Sequence, residues 1–282
     1  MKTLLSHFAA RYIAGETLMS AIHVAERLNA SGLKATISNL GESIADPARA
    51  KAAVGEYLAL LDEISSRDID SHASIKLSHM GIDVSCGLAL ENAGKVAARA
   101  AELKNFVRMD MEGSALTSLT LDAAIELNAK HGCVGVAVQS ALRRSADDVD
   151  RLIKEGVSVR LVKGAYREPP RIAFPDKSDV DKNYSALMRR LLKHGKAPAI
   201  ATHDERLIAE AKEFAGKNDI GKDSFEFQML LGINSALQKE LAKEGYRVRI
   251  YVPYGPEWLP YILRRLAERK ENVWFVLKHL FD

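Results

Sequence analysis

The sequence predicts an α/β protein, a (β/α)8 barrel carrying a helical extension at its N-terminus. Three observations carry that prediction. From Ser74 onward, short β-rich runs alternate with amphipathic segments, and such alternation means a parallel sheet with crossover helices. The runs number eight, which favours closure into a barrel over an open sheet. The chain of 282 residues is long enough for a barrel of roughly 250 residues with a short addition.

Residues 1–73 read as helices packed on the barrel, and residues 74–282 as the barrel itself, one structural domain overall. In residues 17–28, Leu18, Ile22, Ala25 and Leu28 recur at helical spacing. Asp46-Pro47 then supplies an N-cap with proline at the first helical position, ahead of an apolar stripe of Val54, Leu58, Leu61 and Ile64. The predicted strands cover residues 74–77, 106–111, 134–139, 158–162, 199–202, 225–229, 248–252 and 273–277. Residues 121–130, 146–154, 183–193, 205–214 and 235–243 read as helices between them. Gly132, Gly156, Gly195 and Gly245 follow four of these helices, where a left-handed C-terminal cap belongs.

Lys and Arg number 40 against 37 acidic residues, a net charge of +3, and no basic stripe is interleaved with aromatics. Composition thus gives no electrostatic reason to bind nucleic acid. Cys86 and Cys133 are far apart and outside any CxxC spacing, so each reads as a small hydrophobe. No apolar run approaches the roughly 20 residues that span a bilayer. His7 and Arg11 interrupt the first apolar stretch, which has no small-residue cleavage signature. The expectation is a soluble protein in the cytoplasm, a reading equally compatible with peripheral contact at a membrane surface.

In a β/α barrel, the working residues come from the C-terminal ends of the strands. Here those ends are polar: Lys76, Arg108 and Asp110, Gln139, Arg160 and Lys163, Thr202 and His203, Glu226 and Gln228, Tyr251 and Tyr254. Any one of them has a bland explanation, as a side chain that snorkels to solvent or pairs with a neighbour. Repetition over six or seven strands does not, because burying such groups unpartnered costs a few kcal/mol each. The set holds cations and amides, few acids, and neither H-E-x-x-H nor a paired-histidine cluster. It points away from a metal and towards an anionic, polar organic cofactor. Lys163-Gly164-Ala165 can cradle a phosphate, but G-x-G-x-x-G and G-x-x-x-x-G-K-[ST] are both missing, so neither a Rossmann site nor a P-loop is indicated. Arg264 and Arg265 suit bidentate recognition of a carboxylate. Their alternative is a solvated helix face with Glu268 paired to Arg264 at i,i+4 spacing.

Six segments in order resemble the proline dehydrogenase family, particularly its short monofunctional bacterial members. They are Ser74-Ile75-Lys76-Leu77-Ser78, Arg108-Met109-Asp110-Met111-Glu112, Arg160-Leu161-Val162-Lys163-Gly164-Ala165-Tyr166-Arg167-Glu168, Ala201-Thr202-His203-Asp204, Phe225-Glu226-Phe227-Gln228, and Tyr251-Val252-Pro253-Tyr254-Gly255 followed by Arg264-Arg265-Leu266-Ala267-Glu268. The resemblance implies a distorted TIM-type barrel with FAD over the strand ends, oxidising L-proline to Δ1-pyrroline-5-carboxylate by hydride transfer to flavin N5. It implies that Lys76, Arg264 and Arg265 hold the proline carboxylate, that Tyr251, Tyr261 and Leu230 wall the ring, and that Glu268 orients the arginine pair. Asp110 and Arg160 match the catalytic acid and the arginine near N5. Met111, Gln139, Lys163, Gly164, Ala165, Thr202, His203 and Gln228 match flavin contacts. No metal is implied. A quinone as electron acceptor, peripheral attachment at the inner membrane and Δ1-pyrroline-5-carboxylate dehydrogenase as pathway partner are further implications. One departure is Arg167-Glu168-Pro169-Pro170, which replaces a tryptophan-containing stretch of the long bifunctional members. Two other readings stay open on the residues alone: a Schiff-base aldolase-type barrel using Lys76 or Lys163, and a non-catalytic amino-acid-binding barrel.

Overall fold

The computed structural model describes residues 11–166 and 168–268, with the side chains of 264–268 excepted. Eight parallel strands close into a barrel in sequence order. They are β1 (Lys34–Asn39), β2 (Ser71–Ile75), β3 (Val107–Met109), β4 (Val134–Gln139), β5 (Ser158–Val162), β6 (Ala199–Ala201), β7 (Glu226–Leu230) and β8 (Arg247–Tyr254). The ring is sealed where β8 pairs with β1, Tyr251 opposite Thr36 and Tyr254 opposite Asn39.

This closure corrects one expectation. Residues 1–73 are not helical throughout: Lys34–Asn39 is the first barrel strand, with Ala35 and Ile37 fully buried. The predicted strand at 273–277 lies outside the described residues, and the barrel is complete without it. The remaining seven predicted strands coincide with β2–β8 to within about three residues at either end, the usual uncertainty of a boundary read from pattern.

Helix α1 (Leu18–Ala30) precedes β1, capped by the Thr17 hydroxyl, which accepts from the Ser20 amide. Helix α2 (Pro47–Ser66) starts as predicted, with Asp46 accepting from Ala48 N–H and proline at the first position. Then follow α3 (Cys86–Glu102), α4 (Thr117–His131), α5 (Ser145–Lys154), α6 (Lys177–His194), α7 (Glu205–Lys217), α8 (Ser235–Lys243) and α9 (Trp258–Glu268). Gly132 caps α4 in the left-handed conformation at φ +73°, and Gly156 and Gly245 take positive φ just beyond α5 and α8. Gly195 differs from expectation. It is extended, and a Cβ there would stand 2.7 Å from the Leu191 carbonyl oxygen, so close approach rather than handedness calls for glycine.

Two helices depart from a regular barrel ring. Helix α1 packs against both β1 and β8, the slot that the last helix of such a ring fills. The helix after β8, α9, instead brings Tyr261 to the cavity at the barrel mouth and packs Ile262 with Ile13 and Leu40. The turn into α9 passes through Gly255 at φ +127°, where a Cβ would lie 2.7 Å from Asn39 Oδ1. Glu16 accepts from Trp258 Nε1 at 3.1 Å, and Arg49 pairs with Glu257 at 2.6 Å, fastening the start of α9 to the N-terminal segment and to α2. Among the described residues, no helix is long and apolar enough to cross a membrane.

Candidate functional site

Successive inward residues on a strand are two apart, so a polar residue at a strand end tends to have an inward polar partner one step below. That pattern builds the site. Ser74 on β2 and Lys76 just past its end, Arg108 on β3 and Asp110 just past its end, Glu226 and Gln228 on β7, and Arg249 and Tyr251 on β8 are pairs of this kind. Lys76 therefore stands immediately beyond its strand rather than within it, as the sequence had suggested.

Asp110 is the hub. Its Oδ1 accepts from Ser74 Oγ at 2.7 Å and from Arg160 Nη1 at 2.5 Å. Its Oδ2 accepts from the Tyr251 hydroxyl at 2.8 Å and lies 3.5 Å from Lys76 Nζ. A carboxylate offers about four acceptor positions, and here three take hydrogen bonds while Lys76 adds an ion pair. Burial pushes the Asp110 carboxyl upward, but Arg160 and Lys76, with hydrogen bonds from Ser74 and Tyr251, outweigh it and hold the group below its ordinary value. Burial works against the Lys76 ammonium, and the fields of Tyr251 and Asp110 more than offset it, keeping Lys76 well above the ordinary lysine range. Burial and the adjacent Asp110 push the Tyr251 phenol upward, so it remains a donor. One carboxylate between two buried cations leaves this cluster with net positive charge.

A cavity of about 630 Å3 opens above it. Every residue that the resemblance assigned to the site and whose side chain is described lines this cavity: Lys76, Asp110, Met111, Gln139, Arg160, Lys163, Gly164, Ala165, Thr202, His203, Gln228, Leu230, Tyr251 and Tyr261; the polar strand residues Arg108, Glu226 and Tyr254 do not. Arg264 and Arg265 lie on α9, three and four positions after Tyr261, and Glu268 ends that helix; their side chains are outside the described residues.

The wall formed by β4 and β5 has a distinct character. Gly164 takes φ +114°, and a Cβ there would sit 3.1 Å from both Gln139 Oε1 and Ala141 Cβ. Gln139 Nε2 donates to the Glu112 carbonyl at 3.0 Å. Lys163 Nζ is held between Asp181 at 2.6 Å and Asp204 at 3.0 Å. Burial raises the Asp204 carboxyl, yet hydrogen bonds from Arg206 and Lys163 bring it down to about 2. His203 Nε2 accepts from Leu230 N–H at 3.1 Å, tying β6 to β7 at the rim. Glu168 ties the chain after Tyr166 to the segment just before α4, accepting from Ser114 N–H and Oγ at 2.7 Å each.

Sequence reasoning missed several lining residues, notably Tyr12, Glu42, Tyr166 and Asp204. Glu42 follows β1, so overlooking that strand meant overlooking its loop. Ser74 carried a usable signal, since it precedes Lys76 by two.

The family model described as proline dehydrogenase matches residues 21–278. "Proline dehydrogenase 2" of Bacillus subtilis is 39% identical over 270 residues, covering 96% of this chain and 89% of that protein. "Proline dehydrogenase" of Deinococcus radiodurans is 41% identical over 277 residues, again 96% and 89%. Among solved structures, proline utilization A from Bdellovibrio bacteriovorus, inactivated by N-propargylglycine, superposes with a TM-score of 0.87 at 27% identity, covering 95% of this chain. The chain spans about a third of that longer protein (33%).

Proposed function

The chain belongs to the proline dehydrogenase family, and from that premise we propose that the barrel mouth oxidises L-proline to Δ1-pyrroline-5-carboxylate with FAD as its cofactor and a quinone as electron acceptor. The observation that carries the reading is the convergence of Lys76, Asp110, Arg160 and Tyr251 at one cavity that Gly164 also lines.

The residues fit a flavin on their own chemistry. Gly164 lines the cavity with backbone alone at a positive φ, which leaves its peptide open to a flat ring or a phosphate. Cations and amides from β4, β5 and β7 face the same space. When bound, the flavin supplies the hydride acceptor. Met111, Gln139, Lys163, Gly164, Ala165, Thr202, His203 and Gln228 would hold it, with Arg160 near its N5.

The protein's own task is positioning. Lys76 binds the proline carboxylate together with Arg264 and Arg265, oriented by Glu268, and each charge-assisted hydrogen bond is worth roughly 1.5–3 kcal/mol. Tyr251, Tyr261 and Leu230 wall the ring and exclude water, Tyr261 reaching down from α9. Bonded to Ser74, Arg160 and Tyr251 and paired with Lys76, Asp110 acts by orientation: it holds Lys76, Arg160 and Tyr251 in a fixed triangle. The surrounding positive charge disfavours the substrate's ammonium form and so helps it shed the proton that must leave before hydride can. The Schiff-base alternative is weakened at Lys76, because a nucleophilic lysine needs a depressed pKa and this one is raised.

The test is the absorption spectrum of the purified protein. Flavin bands that bleach when proline is added without oxygen are expected, and a colourless protein or unbleached bands would refute the assignment. Reoxidation by a soluble quinone analogue, compared with oxygen, tests the acceptor. Attachment to inner-membrane vesicles from a cytoplasmic fraction tests the proposed location.

A further inference from the structure

Beneath Arg160 the barrel interior is charged, where such barrels are ordinarily filled by layers of branched apolar side chains. Arg160 Nε donates to Gln228 Oε1 at 2.5 Å. The same amide donates through Nε2 to Glu226 Oε1. Glu226 in turn accepts from Arg249 Nε at 3.0 and 3.1 Å, and Arg249 Nη1 donates to the Ala35 carbonyl at 2.7 Å. All four side chains are buried. Their strands are adjacent only in part: β7 pairs with β8 directly, while β5 reaches β7 across β6.

The chemistry of the two flanking groups fixes the amide. A guanidinium only donates and a carboxylate only accepts, so Gln228 has a single satisfactory orientation, carbonyl to Arg160 and NH2 to Glu226. Arg160 is then held at two points. Nε is tied to Gln228, and Nη1 to Asp110 at 2.5 Å and Ser74 at 3.3 Å. Among the described residues, Nη2 has no hydrogen-bond partner, and Arg160 lines the cavity. Stability alone is a poor reason for the Glu226–Arg249 pair, since buried ion pairs are often no more stabilising than apolar residues of the same size.

We infer that Glu226 is a positioning residue for the oxidation: by fixing the direction of the Gln228 amide, it sets the aim of the Arg160 guanidinium into the cavity. The inference rests on the proposed reading that Arg160 faces the flavin. Glu226 itself touches neither substrate nor cofactor on this account and acts entirely through Gln228.

A double-mutant cycle on the flavin-loaded enzyme tests it, with anaerobic rapid mixing against proline giving the rate constant of flavin reduction and the apparent Kd. E226Q is expected to slow reduction about tenfold while leaving Kd within about threefold, and the same substitution in a Q228A background should change the rate less than about twofold. A charge acting through space, or a general loosening of the fold, gives the same factor in both backgrounds, and that result overturns the inference. So does E226Q reducing at the wild-type rate. If E226Q does not fold, E226Q/R249M removes the ion pair as a unit and should show the same slow reduction; wild-type rates in that variant also overturn it. Wild-type enzyme whose flavin proline does not reduce would instead sink the proposed function, so the two failures are distinguishable.

Discussion

Replacing Asp110 by asparagine tests the hub directly. The substitution keeps size but turns one acceptor oxygen into a donor that faces donors, and it removes the charge shared by Arg160 at 2.5 Å and Lys76 at 3.5 Å. At an effective dielectric of about 20, a carboxylate 3.5 Å from an ammonium contributes about 5 kcal/mol to keeping the ammonium charged. That contribution opposes the burial penalty on Lys76, so in D110N, with Tyr251, Tyr57 and Glu42 still in place, the Lys76 pKa falls. Lys76 then gives up its charge at a lower pH than in the parent protein. Two readouts follow. The KM for proline should rise in D110N and climb further with increasing pH, more steeply than in the parent, because the carboxylate loses a partner as Lys76 deprotonates. Chemical denaturation of the flavin-free protein should show a loss of roughly 3 kcal/mol, the low end for removing one member of a buried ion pair. A KM–pH profile that superimposes on the parent's, in a D110N protein of lower stability, would refute the link between Asp110 and the charge of Lys76.

Other outcomes can be checked in parallel. Gly164→Ala adds a Cβ 3.1 Å from Gln139 Oε1 at a positive φ, so flavin retention should drop and stability fall by about 1–2 kcal/mol, read by the protein-to-flavin absorbance ratio and by thermal unfolding. Tyr251→Phe deletes the 2.8 Å hydrogen bond to Asp110 and should cost about 1 kcal/mol, a several-fold rise in proline KM with flavin content unchanged. Asp204, whose carboxyl lies at about 2 against an ordinary 3.8, contributes stability that is present above pH 3.8 and lost as pH falls towards 2; in Asp204→Asn that part of the acid limb should flatten. Turnover of the parent enzyme should rise with pH to an alkaline plateau as the substrate ammonium is unloaded, and a flat profile from mildly acidic to alkaline pH would contradict the proposed role of the cationic floor.

Much of the architecture was legible in the amino-acid order because its signals are local. Alternation of β-rich and amphipathic stretches, the Asp46-Pro47 start and the glycine after α4 depend on residues within a few positions of one another. Strand β1 was not legible: Lys34-Ala35-Thr36-Ile37-Ser38-Asn39 has one large apolar residue, and its burial comes from pairing with β2 and β8 rather than from its own hydrophobicity. Gly195 marked a helix end correctly but for a different reason, a close approach to Leu191 that spacing cannot express.

By itself, the sequence determined that polar groups recur at strand ends and that six segments match one family, since both are properties of residue type and order. Only the tertiary structure decided that Asp110 is shared by partners 34 to 141 positions away, Lys76 and Tyr251 at the two extremes. It also decided that Gln228 is pinned between a donor and an acceptor, and that α1 rather than the helix after β8 covers the β8–β1 seam. The physical reason is closure. A ring of parallel strands brings residues of any separation into one small interior, and which lone pair meets which proton there depends on register and stagger, quantities that exist only once the ring has formed.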